Sequence, residues 1–291
     1  MIRLIATDLD GTLLEPDGTL PDGTYETVEK LTRRGVLFTG RQYGNLRRLF
    51  APVARHMAFI CENGALCFYG GEVIGVIPIP EDMAREIIAD IEAAGMNLLI
   101  SGRHTTYMLD RNRRYTDDIV YRLRNTVTIV DRPDDIAEPM LKISGQIDEG
   151  LEDIAPALLK KWGSRLTATV SGRDWFDFTA ANKGMGMRML MERTGISKEE
   201  AVAFGDNFND ETMLDSVGHP FLMQHANPAL RKPGIHLCEK ELPVLRQLNP
   251  RAVEHMSRTA KVLAEESAVN RTAEAGGFAS FCCAEGDCCR D

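Results

Sequence analysis

The sequence predicts an α/β fold, an open parallel sheet interrupted by an inserted α+β unit, and three observations carry that expectation. Short apolar runs alternate with amphipathic helical stretches over residues 1–64 and again from 183. Between about 65 and 179, strand-like pieces are joined by hairpin signals as often as by helices. Four of the outer apolar runs stop abruptly in polar or glycine residues, as strands do where a parallel sheet presents its carboxyl edge to a ligand.

The first run, Leu4-Ile5-Ala6, reads as a buried strand and ends at two acids one residue apart, Asp8 and Asp10, with Gly11 supplying a tight turn. Pro16, Asp17 and Gly18 between short apolar flanks suggest a small hairpin over residues 14–20. Val28 and Leu31 mark a helix over 24–34 that stops at Gly35, and Val36-Leu37-Phe38 then runs into Thr39-Gly40-Arg41. A helix around 44–55 leads to a third strand at 57–61, followed by Glu62-Asn63-Gly64. Gly70-Gly71 turns a hairpin between 66–69 and 73–74.

In the insert, Met83, Ile87, Ile88 and Ile91 define one face of a helix over 81–94. Strands follow at 97–109, 126–130 and 140–147, then a helix over 150–162 and a hairpin over 165–179 turning at Ser171-Gly172. The alternating pattern resumes with a Met- and Leu-rich helix from Lys183 closed by Gly195. A strand at 201–204 runs into Gly205-Asp206-Asn207-Phe208-Asn209-Asp210, and a helix through Met213 leads to a strand at 221–223. The expected organisation is a discontinuous core over 1–79 and 179–250, an α+β insert over 80–178, and a tail over 251–291.

Composition narrows the function. Of 291 residues, 44% are hydrophobic, enough for a full core; 43 acids against 34 bases give a net charge of -9, which argues against nucleic acid as a partner. Neither a membrane-spanning run of ~18 apolar residues nor a signal peptide is read, so no membrane partner is expected and the cytoplasm is the expected compartment. Cys61, Cys67 and Cys238 sit in apolar surroundings and read as reduced core thiols.

Four strand ends along one sheet edge would bring together residues some two hundred positions apart. Asp8, Asp10 and Asp206 are hard oxygen donors suited to Mg2+, and no His/Cys cluster accompanies them to suggest zinc. Thr39 offers a hydroxyl and Gly40 an accessible amide; Lys183, preceded by Asn182, opens a helix where an anion is favoured. A carboxylate approaching a phosphate dianion at ~4 Å meets roughly 8 kcal/mol of repulsion at an effective dielectric of 20, so a divalent cation and a lysine are needed beside it.

Together these stretches resemble the haloacid dehalogenase (HAD) superfamily, in particular its Cof-like phosphatases with a type IIB cap. The four motifs are Asp8-Leu9-Asp10-Gly11-Thr12-Leu13-Leu14, Thr39-Gly40-Arg41, Asn182-Lys183-Gly184 and Gly205-Asp206-Asn207-Phe208-Asn209-Asp210, over roughly residues 1–240. The resemblance implies a Rossmann-like core with an inserted cap and a Mg2+-dependent phosphatase acting on a small phosphorylated metabolite, a sugar phosphate or phosphorylated cofactor. It implies Asp8 as nucleophile, forming an aspartyl-phosphate, and Asp10 as acid and then base. Mg2+ would be held by the Asp8 carboxylate, the Asp10 main-chain carbonyl and Asp206, with Asp210 supporting its water shell. Thr39, Gly40 and Lys183 would hold the phosphoryl group, and Asn209 would help position metal or phosphate ligands. A phosphosugar mutase would use the same residues; a phosphate-ligand sensor acting through a partner is the reading from another class.

Other features are left between two readings. Arg41 either contacts substrate or pairs with a core carboxylate, and Asn63-Gly64 either touches the leaving group or is turn chemistry at a hinge. Arg111-Asn112-Arg113-Arg114 reads as a solvated face, given Asp117 and Asp118, rather than as a substrate recruiter. Met185, Met187, Met189 and Met191 step by two and read as mixed core and boundary; no histidine is given a role. The tail, with Cys282-Cys283 and Cys288-Cys289, is expected to be disordered rather than a soft-metal site. Oligomeric state is not legible in the sequence.

Overall fold

The computed structural model describes residues 2–31, 36–39, 42–122, 125–171 and 173–247. Gly35, Gly40, Arg41, Gly172 and the tail with Cys282–Cys289 therefore lie outside the described residues, as does the side chain of Thr39.

The strands are β1 (Leu4–Thr7), β2 (Val36–Thr39), β3 (Met57–Cys61), β4 (Leu66–Tyr69), β5 (Glu72–Val76), β6 (Asn97–Ser101) and β7 (Thr106–Met108), then β8 (Val127–Ile129), β9 (Lys142–Gln146), β10 (Thr167–Ser171), β11 (Trp175–Thr179), β12 (Ala201–Gly205), β13 (His219–Met223) and β14 (His236–Cys238). The helices are α1 (Thr24–Leu31), α2 (Tyr43–Leu49), α3 (Glu81–Ala93), α4 (Arg113–Asp117), α5 (Leu151–Trp162), α6 (Lys183–Thr194), α7 (Glu211–Leu214) and α8 (Glu241–Gln247).

Among the described residues, one sheet runs in the order β14-β13-β12-β1-β2-β3-β4-β5. It is parallel from β14 to β3 and ends in the antiparallel β4–β5 hairpin predicted at Gly70-Gly71. The chain leaves β1 toward β2 and β3, then returns through β12 on the other side. The order thus reverses beside β1, and that is where an open sheet forms a ligand crevice. Both faces are covered, so its strands are apolar in nearly every position. Ile5, Val202 and Phe204 pack with Val28, Leu46 and Leu245 of α1, α2 and α8; Leu4, Ala6 and Ala203 pack with Met187, Leu190 and Leu214 of α6 and α7.

The second sheet, β10-β11-β9-β6-β7-β8, is antiparallel except where β8 joins β7. Its strands alternate cleanly. Ile100, Ile143, Phe176 and Phe178 face α3 and α5, burying Ile87, Ile91, Leu158 and Trp162. The residues between them, Lys142, Ser144 and Asp177, lie on the opposite face, toward the first sheet. The start of α2 also meets the second unit: Gln42 Nε2 donates to Thr106 Oγ1 of β7 (2.6 Å), and Asn45 Nδ2 donates to Asn125 Oδ1 in the loop before β8 (2.8 Å).

Several expectations need correction. Residues 14–20 form a turn rather than a hairpin of strands: Glu15 N–H donates to Thr19 O, and Asp17 Oδ1 accepts from Thr19 N–H. Local side-chain bonds of this kind compete with strand pairing. The helix expected over 44–55 stops at Leu49, just ahead of Pro52, where an N–H would be missing from the ladder. The short β14 and the helices α4 and α8 carry only weak periodicity, too little to mark them in the sequence.

Cys61, Cys67 and Cys238 are buried and free, and burial pushes the thiols of Cys67 and Cys238 up to about 12. The methionine stripe is mixed, with Met187 fully buried and Met189 and Met191 at the core's edge. Arg111, Arg113 and Arg114 form exposed ion pairs with Glu92, Asp117 and Asp148, as a solvated face would.

Candidate active site

Asp8 continues β1 for one residue, its N–H donating to Phe204 O (3.0 Å), and so stands at the carboxyl edge beside the end of β12. The chain must then turn sharply. Gly11 does this at φ +87°, and a Cβ there would collide with the Asp206 carboxylate. Thr12 Oγ1 donates to Asp206 Oδ1 (3.1 Å), binding the first motif to the fourth. Asp210 folds back over the end of β12, its Oδ2 accepting from the N–H groups of Asp206 and Asn207 (both 3.0 Å).

As a result, carboxylate oxygens of Asp8, Asp206 and Asp210 lie within 4.8 Å of one another. Lys183, the first residue of α6, reaches them from the opposite side. Its helix is capped by Asn182 Oδ1, which accepts from Met185 N–H (3.0 Å). Lys183 Nζ donates to Asp8 Oδ1 (2.5 Å) and to Asp210 Oδ1, and the residue is only 1% exposed. Asn209 places a buried Oδ1 without a protein partner in the same loop. The Asp10 side chain is exposed, outside the three-acid cluster, and His225 Nε2 lies 3.8 Å from Asp206 Oδ2.

Charge explains the strain of this arrangement. Two like charges 4–5 Å apart cost roughly 3–4 kcal/mol at an effective dielectric of 20. Burial pushes the Asp8 carboxyl up to about 7 despite the pull of Lys183, and Asp210 and Asp206 push the same way. Asp206 is likewise raised, first by burial and then by Asp210. Burial opposes the Lys183 charge, but Asp210 and Asp8 outweigh it and raise its pKa. Three carboxylates and one ammonium leave two negative charges. A divalent cation with a preference for oxygen ligands fits that balance and that donor set.

Glu241 escaped the sequence reading because an acid opening an apolar helix is ordinary. In the structure it is buried, with Oε2 2.5 Å from Thr7 Oγ1, while Oε1 has no partner. Thr7 Oγ1 also lies 2.6 Å from Asp8 O. Thr7 Oγ1 donates to Glu241 Oε2, which ties the start of α8 to the strand that carries Asp8. Burial pushes Glu241 up to about 8, against the pull of the Thr7 bond. The unfolded carboxyl ionises near 4.5, so folding stability falls as pH rises across 4.5 to 8, by at most on the order of 5 kcal/mol. Glu241→Gln is therefore expected to melt close to the wild type at pH 4.5 and several degrees higher at pH 8.5. Parallel melting curves across that range would show that Glu241 is not held neutral.

Fold and site describe an α/β enzyme whose acids gather at the switch point of a parallel sheet. The family within that class follows from comparison. A model of the haloacid dehalogenase-like hydrolases matches residues 5–240, well over half of the chain, and the protein belongs to that family. It is 28% identical over 262 residues to an HMP-PP phosphatase of Escherichia coli O6:H1, covering 88% of this chain and 94% of that one. It is 25% identical over 237 residues to the 5-amino-6-(5-phospho-D-ribitylamino)uracil phosphatase YbjI of Escherichia coli K12, covering 79% and 88%. The fold is shared with a haloacid dehalogenase-like hydrolase from B. subtilis (TM-score 0.74, 20% identity, 85% and 100% covered). It is also shared with a HAD subclass IIB sugar phosphatase (TM-score 0.70, 20% identity, 88% and 99% covered).

Proposed function

We propose that the protein is a Mg2+-dependent phosphatase that hydrolyses the phosphoric monoester of a small cytoplasmic metabolite. The observation that supports this best is the convergence of Asp8, Asp206 and Asp210 on one space beside Lys183. Asp8, Asp206 and the Asp10 carbonyl are the proposed metal ligands. Asp210 steadies the loop that presents Asp206, and Asn209 offers a further polar oxygen. When bound, Mg2+ supplies the two positive charges that offset the carboxylates and the phosphoryl oxygens.

Asp8 is the proposed nucleophile. One of its oxygens bonds to phosphorus while the bond from phosphorus to the leaving oxygen breaks, and Asp10 delivers a proton to that oxygen. Asp10 then takes a proton from water, which attacks the aspartyl-phosphate, releasing inorganic phosphate and regenerating Asp8. Lys183 exchanges its Asp8 contact for a phosphoryl oxygen; Thr39 and Gly40 are assigned to the same group. The second sheet, with its polar face toward this edge, acts as the cap.

Release of p-nitrophenol from p-nitrophenyl phosphate with Mg2+ tests the reading. Chelation is expected to remove at least nine-tenths of the activity, with Mg2+ restoring it and raising the melting temperature by a few degrees. Undiminished turnover in chelator would defeat the metal assignment. Accumulation of free phosphate from a sugar phosphate separates hydrolysis from a mutase reaction.

A further inference from the structure

One buried ionisable group close to the nucleophile has no part in the phosphoryl transfer itself. Glu241 opens α8 and is only 2% exposed. Its Oε2 lies 2.5 Å from Thr7 Oγ1, and the same hydroxyl oxygen lies 2.6 Å from Asp8 O. Its Oε1 is buried and meets no hydrogen-bonding partner among the described residues. A carboxyl oxygen left in that condition costs free energy that an apolar side chain of similar size would not. Glu241 is thus a poor strut for the fold, and what distinguishes its place is the contact it makes through Thr7 with the nucleophile.

Asp8 lies where β1 gives way to a turn. The direction of its side chain is fixed only when both the amide before its Cα and the carbonyl after it are fixed. The amide is held by the sheet, its N–H donating to Phe204 O (3.0 Å). The carbonyl faces the Thr7 hydroxyl, and a threonine in a strand has more than one staggered side-chain position. An acceptor 2.5 Å from Thr7 Oγ1 selects the position that sets the hydroxyl against Asp8 O. Helix α8 keeps that acceptor in place. Leu242 and Leu245 pack in the same core as Leu9 and Leu13 of the turn after Asp8, and Arg246 Nη2 donates to Asp22 O (2.9 Å).

We propose that Glu241 is a positioning residue for the nucleophile, fixing the Asp8 carbonyl through the Thr7 hydroxyl and with it the line along which the Asp8 carboxylate meets phosphorus. This rests on the phosphatase reading above. A small error in the aim of a nucleophile is felt in the chemical step and leaves capture of the phosphate unchanged. A residue that merely anchored α8 would alter stability and leave the kcat of the folded enzyme alone.

The test measures kcat and KM for p-nitrophenyl phosphate with Mg2+ in Glu241→Met, Glu241→Gln, Thr7→Val and the Thr7→Val/Glu241→Met double variant, per folded molecule. Glu241→Met fills the space without an acceptor, and its kcat is expected to fall at least about tenfold with KM within about twofold. Thr7→Val is expected to lose a similar factor, and the double variant no more than the larger single loss, since both act through one contact. Glu241→Gln keeps an oxygen for Thr7 and is expected to hold kcat within about threefold of the wild type. A Glu241→Met enzyme with wild-type kcat overturns the proposal. So do losses that multiply in the double variant, or a Glu241→Gln enzyme as slow as Glu241→Met. Should Glu241→Met fail to fold, Thr7→Val decides alone, and a wild-type kcat there overturns the proposal. Absence of turnover in the wild-type enzyme would instead overturn the phosphatase reading.

Discussion

Asp8→Asn is expected to lose turnover by at least about ten-thousandfold while keeping its fold, because the substitution removes the attacking oxygen and little else. Asparagine has nearly the shape of aspartate, and its Oδ1 still accepts from Lys183. Lys183 also keeps its bond to Asp210. One negative charge leaves a cluster in which Asp210 and Asp206 raise the pKa of Asp8, so the loss of attraction to Lys183 is matched by relief of repulsion. The melting temperature, measured without added metal, is expected within a few degrees of the wild type. Turnover near the wild-type rate in a folded Asp8→Asn protein would remove the covalent route altogether.

Lys183→Met is expected to act on stability as well as chemistry. The ammonium is fully buried between Asp8 and Asp210, and truncating one partner of a buried ion group leaves its neighbours charged and unpaired. Such a change costs about 3–5 kcal/mol. In a protein of this size that corresponds to a fall of roughly 6–20 °C in melting temperature. Mg2+ is expected to recover part of the loss, since the acids that Lys183 leaves behind converge on one space. Turnover is expected to fall at least a hundredfold even where the variant is folded, because the charge opposing the phosphoryl oxygens is gone. A variant as stable as the wild type in the absence of metal would show that Lys183 does not hold the acids together.

The parts of this site that could be read from the chain are those whose local pattern and chemistry coincide. Asp8 and Asp206 each follow an apolar run that can only be a buried strand, and a parallel sheet aligns such ends along one edge. Lys183 follows a capping asparagine at a helix start, which fixes the position of its backbone before any tertiary contact forms. Gly11 reads as a turn residue and Gly64 as either a turn residue or a leaving-group contact; in the structure each clears room for a distant chain segment, the Asp206 carboxylate and the Asn182 carbonyl. A turn leaves a trace in neighbouring residues, whereas close approach by a distant segment leaves none.

Sequence alone determined the α/β class, the family, and the set of acids and lysine that the strand ends present, since strand periodicity, turn chemistry and capping act over a few residues. Tertiary structure decided that Asp210 shares Lys183 with Asp8, that Glu241 is buried against Thr7, and that Lys142 crosses to Glu62. These are encounters between groups from 27 to 234 positions apart, and their outcome depends on burial. Away from water a carboxyl must find a cation or a proton, and the choice is made by whatever the fold has packed beside it.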